Sequence, residues 1–249
     1  LFPYTTLFRS SIDLAEAYGR CKPITILPLD SFESTRMENT YFSADRERRD
    51  CRCTTSIDPY RPEELFGLDA AVSHIAGLVH GDIGADVVEA ASKIGALALD
   101  VQCMLRCVQP DHHMIMRDWA EKRELLPLVS FLKTDAAEAE VMTGSADRTA
   151  AAKQLHAWGA KEVMITHNSE VLVYDGKRFY TAPLKARNLS GRTGRGDTTF
   201  ACYLGERLHS GIPESLQRAA ALVSLKMETP GPFLGGREDM LAYLGEFYF

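Results

Sequence analysis

Residues 190–200, SGRTGRGDTTF, set Gly194 and Gly196 directly before an acidic residue and the start of an apolar-periodic stretch reaching about residue 209. Glycines at these positions let the backbone approach a ligand closely and adopt conformations closed to other residues. Asp197 falls at the helix start, where the first N–H groups lack intrahelical acceptors and point above the turn. Those donors and the helix dipole suit an anion, best of all a phosphoryl group whose charge spreads over its oxygens in the transition state. A carboxylate beside that hole is placed to accept a hydroxyl proton. Gly194, Arg195 and Gly196 would then form the hole, and Asp197 would be the base. Gly-Asp before a helix is also an ordinary N-cap arrangement, so the motif depends on its surroundings.

Those surroundings read as alternating strands and helices from about residue 69 onward. Candidate strands are 70–77, 96–101, 128–133 and 162–167, and helical periods cover 82–93 and 148–158. A hairpin follows, VLVY and RFYT joined by a two-residue turn at Asp175-Gly176. Helices over roughly 197–209 and 213–228 close the chain. The pattern predicts an α/β fold, a doubly wound, mostly parallel sheet with helices on both faces. Residues 33–57 read as an exposed antiparallel hairpin, either a solvated loop or a small lid over a substrate pocket and a candidate homodimer contact. We read 11–249 as one domain and set LFPYTTLFRS, residues 1–10, aside as a non-native leader.

Composition narrows the function classes. The 249 residues carry a formal net charge of −6, which disfavours a general nucleic-acid binder, since counterion displacement needs a basic face. No apolar run is long enough to span a bilayer, no secretory leader opens the chain, and none of the six cysteines is spaced C-x-x-C. The expected setting is a reducing cytoplasm and the expected partner a small molecule, with neither nucleic acid nor membrane involved.

TGRGDTTFACYL resembles the signature of the PfkB, or ribokinase-like, carbohydrate kinases, T-G-A-G-D-x-F after the last hairpin. Residues 132–144, LKTDAAEAEVMTG, resemble the family's K-x-N-x-x-E-x-E-x-L-T-G segment. That likeness implies that Lys133 lies in the cofactor site and that Asp135 and Glu138 act on Mg²⁺ and phosphate through bound water. EVMITHNSEVLVYDG is similar to the V-x-V-T-x-G strand and hairpin, which would bring Thr166 and Asn168, with Thr193, near the ATP phosphates. AAALVSLKMETPGP resembles the stretch lining the adenine, with Val223, Met227 and Gly231 as neighbours. The resemblance implies a ribokinase-like fold and MgATP-dependent phosphoryl transfer to a hydroxyl of a sugar, polyol or similar molecule. A nucleoside or vitamin-precursor kinase, or a non-catalytic nucleotide or metabolite sensor on the same fold, are the alternatives.

Asp100 and Gln102 at the end of a strand face the crevice where α/β proteins bind ligands, and with Arg106 they are the candidate substrate residues; a locally hydrogen-bonded loop is the competing reading. His112 and His113 read as surface residues and Trp119 as packing. Acidic residues 135 and 138 would also serve as first-turn helix charges, and Val223 and Met227 as plain core. Departures from the family pattern are specific. Gly191 and Arg192 stand where Asp-Thr is usual, which removes a carboxylate that helps hold a monovalent cation in many relatives, so little response to K⁺ is expected. Arg195 replaces an Ala, and Asn168 replaces a Gly. The resemblance also implies an opening strand with a substrate-binding Asp and a Gly-Gly segment before IDLAEAYGR. Without them the chain is expected to bind nucleotide better than it phosphorylates an acceptor.

Overall fold

The computed structural model describes residues 27–41, 49–191 and 193–249. Within it, the polar segment of alternating residues forms β1 (Arg36–Tyr41) and β2 (Arg49–Thr55), paired antiparallel in a separate two-stranded sheet. The short apolar runs become β3 (Val72–Ile75) and β4 (Ala96–Asp100). Between them lies α1 (Ala85–Ala91), and α2 (Gln102–Leu105) follows β4 directly. A second small hairpin, β5 (Arg106–Val108) and β6 (Met114–Met116), precedes α3 (Lys122–Leu125). Next come β7 (Val129–Asp135), α4 (Ala136–Thr143), α5 (Arg148–Ala157) and β8 (Glu162–Thr166). An edge hairpin, β9 (Glu170–Tyr174) and β10 (Phe179–Pro183), leads to α6 (Arg195–Arg207), α7 (Ile212–Met227) and α8 (Arg237–Phe247).

The main sheet has the order β3-β4-β7-β8-β9-β10. Its first four strands run parallel, and β9 and β10 add antiparallel. Strand periodicity of two divides the core accordingly. Leu97, Leu99, Val163 and Ile165 face one side with Val88, Ala139, Met142 and Leu155 of α1, α4 and α5. Ala98 and Met164 face the other, against Phe200, Tyr203 and Leu204 of α6 and Leu216, Ala219 and Ala220 of α7. This two-sided cover is the expected doubly wound arrangement, and it explains why β4 and β8 read as continuous apolar runs. α8 packs on α7 through Tyr243 and Leu244 against Ala221. Among the described residues no helix is long and apolar enough to cross a membrane.

Two expectations are corrected. Tyr174 pairs with Phe179, so the edge hairpin turns through the four residues 175–178 rather than two. The Asp175 carboxylate makes this possible by accepting the N–H groups of Lys177 and Arg178 at 2.8 and 2.7 Å. His113 is more than a surface residue: one ring nitrogen lies 2.9 Å from Asp50 and the other 2.6 Å from Arg52, while Cys53 N–H donates to the carbonyl of His112. The two histidines therefore tie the β5–β6 hairpin to β2. Trp119 is buried, as expected of a packing residue. The leader and the stretch IDLAEAYGR, residues 12–20, lie outside the described residues.

The turn from α5 into β8 depends on Gly159, whose φ is 124° and whose absent Cβ would lie 2.6 Å from the backbone of Pro127. Gly159→Ala should lower the free energy of unfolding by on the order of 3 kcal/mol, from backbone strain and overpacking together. Urea denaturation of the two proteins checks this. A variant within about 0.5 kcal/mol of wild type would contradict the tight approach.

Candidate active site

Gly194 adopts a left-handed conformation, φ 78°, and turns the chain into α6. Asp197 sits in the first turn of that helix. The carbonyl of Gly194 accepts the first helical bond from Thr198 N–H at 2.9 Å. The N–H groups of Arg195, Gly196 and Asp197 come too early for an intrahelical acceptor, so the helix presents its positive end here. Arg195 Nη1 donates to Asn168 Oδ1 at 2.8 Å, linking the β8–β9 loop to the turn. His74 of β3 packs edge-on to Phe200, ring centroids 5.0 Å apart. Burial pushes its imidazole down to about 4, only partly offset by the charge of Asp197, so it stands neutral beside the helix.

Gly196 has a spatial reason to be glycine. A Cβ there would lie 2.8 Å from Lys133 Nζ. Lys133 reaches this position because β4 and β7 are adjacent and parallel, which pairs it with Asp100 at the carboxyl ends of both strands. Its ammonium donates to both Asp100 oxygens, at 3.1 and 2.9 Å. Burial alone would lower Lys133, but the Asp100 and Glu138 carboxylates outweigh it and hold the group above its ordinary value. Asp100 is raised as well. Burial raises it, Lys133 lowers it, and the nearby charges of Glu138 and Asp197 raise it again, leaving it above the usual carboxylate range.

Asp135 caps α4 and accepts Glu138 N–H at 2.8 Å, while Glu138 Oε2 accepts Asp135 N–H at 2.9 Å, a reciprocal capping box. Glu138 Oε1 also accepts from Arg106 at 3.4 Å. Burial works to raise Glu138, yet Lys133 and Arg106 together hold it below its ordinary value. Both Glu138 oxygens are thus engaged by the protein, whereas among the described residues Oδ2 of Asp135 accepts no hydrogen bond. This arrangement fits contact with a hydrated divalent cation through water and does not fit direct ligation by Glu138.

The structure brings Asp100, Arg106, Lys133, Asp135, Glu138 and the 194–197 turn into one network. Thr166 lies opposite Asp135 in the β7–β8 ladder and is buried. Gln102 is buried, its side-chain amide donating to Gly77 carbonyl at 3.0 Å and its N–H to Asp100 at 3.2 Å. Val223 and Met227 are 0% and 1% exposed, so their side chains offer no surface to a base. Gly231 lies in the loop after α7 with φ 90°. Ser56, just past β2, lines a cleft of about 520 Å³ together with His80, Gln109 and Arg117.

Four contributors escaped the sequence reading: His74, Arg187, Lys226 and Glu228. Lys226 had a signal, a lysine on a helix face otherwise occupied by buried Ala219, Val223 and Met227. Its Nζ donates to the carbonyls of Gly191, at 2.6 Å, and Thr193. Glu228 fastens the chain entering the turn. It accepts from Arg187 N–H and Nε, at 2.9 Å each, and from Tyr243 hydroxyl at 2.7 Å, while its own carbonyl accepts from Ser190 hydroxyl at 2.7 Å.

Residues 42–235 match the sequence profile of the pfkB family carbohydrate kinases. A cytidine kinase of Thermococcus kodakarensis is 36% identical over 105 residues, which are 39% of this chain and 38% of that protein. The chain therefore matches well under half the length of that curated relative. Among solved structures, a pyrophosphate-dependent kinase of the ribokinase family in complex with sulfate is similar, with a TM-score of 0.84 and 31% identity over 94% of this chain and 83% of that one. A pyrophosphate-dependent kinase of the same family, complexed with a pyrophosphate analogue and myo-inositol, gives 0.82 and 30% over 94% and 82%.

Hydrogen bonds from Arg187 are the largest influence holding Glu228 down to about 2, against an ordinary 4.5. A depressed carboxyl adds stability that is complete above its unfolded value and is lost as pH falls through the folded one. Wild-type stability should therefore fall more steeply than that of Glu228→Gln between about pH 4.5 and 2, and more weakly in high salt. Denaturant midpoints along that acid range check it. Parallel acid limbs for the two proteins would contradict the anchor.

Proposed function

The chain belongs to the pfkB family of carbohydrate kinases, and we propose that it transfers the terminal phosphoryl group of a magnesium-complexed donor to a hydroxyl of a sugar, polyol or nucleoside. The observation that carries this reading is the placement of Asp197 in the first turn of α6, with Lys133 Nζ packed 2.8 Å from where a Gly196 Cβ would be. A phosphoryl group above the turn meets the N–H groups of 195–197 on one side and feels the Lys133 ammonium beneath. Asp197 takes the proton of the acceptor hydroxyl as its oxygen attacks in line with the leaving group. Asp135 and Glu138 would hold magnesium through water, and the bound cation would offset charge on the phosphoryl oxygens. Asp100 and Arg106, from the ends of neighbouring elements, shape the acceptor side, and the β1–β2 hairpin closes over it as a lid.

ATP is the donor implied by the family likeness. A second reading, pyrophosphate, is favoured by the two pyrophosphate-dependent relatives and by the full burial of Val223 and Met227, the side chains expected beside an adenine. Arg195, where the family pattern has Ala, adds a cation at the phosphate end, which both donors share. A non-catalytic sensor on the same fold would bind a donor and turn over nothing. The setting is cytoplasmic, in keeping with the thiols of Cys53, Cys103 and Cys202, which form no disulfide.

The test is acceptor-dependent release of ADP from MgATP, or of phosphate from magnesium pyrophosphate, across a panel of sugars, inositols and nucleosides. Asp197→Asn keeps size and removes the base, so turnover should fall on the order of 10²–10⁴-fold with the fold unchanged. Wild-type turnover in the Asn variant, with chemistry rate-limiting, would remove Asp197 from the role. Acceptor-independent donor binding with no turnover by the wild-type chain would favour the sensor.

A further inference from the structure

Lys226 stands in the last turn of α7, 4% exposed, on a face whose other members are apolar. Among the described residues it pairs with no carboxylate, and its donors go instead to the carbonyls of Gly191 and Thr193. Burial lowers its pKa and the charge of Asp197 only partly restores it. A methionine would fill the same space without that desolvation cost, so the charge itself needs a reason.

The surrounding dipoles supply one. The turn is pressed onto the end of α7. Gly191 N–H donates to Met227 carbonyl at 2.7 Å, and a Cβ on Gly191 would lie 1.9 Å from the carbonyl oxygen of Thr229. The carbonyls of Gly191 and Thr193 therefore converge near the negative end of a helix, an arrangement of like dipoles that repels unless a cation lies between them. The same contact leaves no room for an aspartate at 191 to hold a separate ion.

We propose that Lys226 is a positioning residue whose ammonium serves as a built-in cation: it clamps the carbonyls of Gly191 and Thr193 against the end of α7 and so fixes the turn carrying the anion hole, in place of a free monovalent cation. The kinetic consequence rests on the phosphotransferase reading, whereas the structural consequence does not.

The experiment uses the full chain, Lys226→Ala and Lys226→Met. Melting midpoints and turnover are measured in tetramethylammonium chloride replaced stepwise by ammonium or potassium chloride at constant ionic strength. The wild-type midpoint and turnover should be indifferent to the exchange. Lys226→Ala opens a carbonyl-lined hole, so its midpoint should start lower and rise with ammonium or potassium. Its turnover should fall on the order of 10²-fold, as for a displaced catalytic turn, and recover in part with ammonium. Lys226→Met fills the hole without charge and should lose turnover with no ion response. If Lys226→Ala folds only when ammonium is added, that supports the clamp; failure to fold in every salt overturns it. A midpoint of Lys226→Ala that ignores both ions, ion responses equal in Ala and Met variants, or several-fold stimulation of the wild type by potassium each overturns it too. If wild type phosphorylates no acceptor tested, the phosphotransferase reading fails while the melting series still decides the clamp.

Discussion

The turn formed by Gly191 and residues 193–196 has to press its backbone against two buried ammonium groups, and the rest of the candidate active site depends on that contact. On one side Gly196 lies over Lys133, so closely that a single Cβ would meet its Nζ. On the other, the carbonyls of Gly191 and Thr193 sit on Lys226. A turn gripped in this way aims the N–H groups of 195–197 outward in a fixed direction, and fixed donors stabilise developing charge without reorganising during reaction. The fold delivers both lysines by different routes: β7 carries Lys133 to the carboxyl end of the parallel sheet, and the last turn of α7 carries Lys226.

The charges around the turn are interleaved: Asp100, Asp135, Glu138 and Asp197 lie among Lys133, Arg106, Arg195 and Lys226, with Asp100, Lys133, Glu138 and Lys226 buried. Burial together with like charge raises both Asp100 and Asp135 above their ordinary values. The adjacent Asp100 and Glu138 carboxylates explain why Lys133 is held above its ordinary value despite its burial.

The parallel strands, their flanking helices and the two-sided core were legible in the sequence, because short apolar runs such as ALALDV and EVMITH alternate with helical periods, as strands buried on both faces do. The glycine turn into α6 was legible too, since Gly194, Gly196 and Asp197 fall within four residues. Contacts made across long separations were not. Nothing local in the sequence pairs His113 with Asp50, Glu228 with Arg187, or Lys226 with Gly191, because each pair meets only after separate elements dock. Capping by Asp135 and Glu138 shows a different ambiguity: the same two carboxylates satisfy backbone N–H groups at the start of α4 and are the ones proposed to act on a phosphoryl group, and spacing alone does not separate those roles.

In the proposed reaction Asp197 acts as a base beside a fixed anion hole, so that the phosphoryl group passes once, directly, from donor to acceptor. Transfer from a donor made chiral at its terminal phosphorus, followed by determination of configuration in the phosphorylated acceptor, tests this most directly. Inversion at phosphorus is expected, the outcome of a single in-line displacement. Retention would contradict it, because it requires two displacements through a phosphorylated enzyme residue.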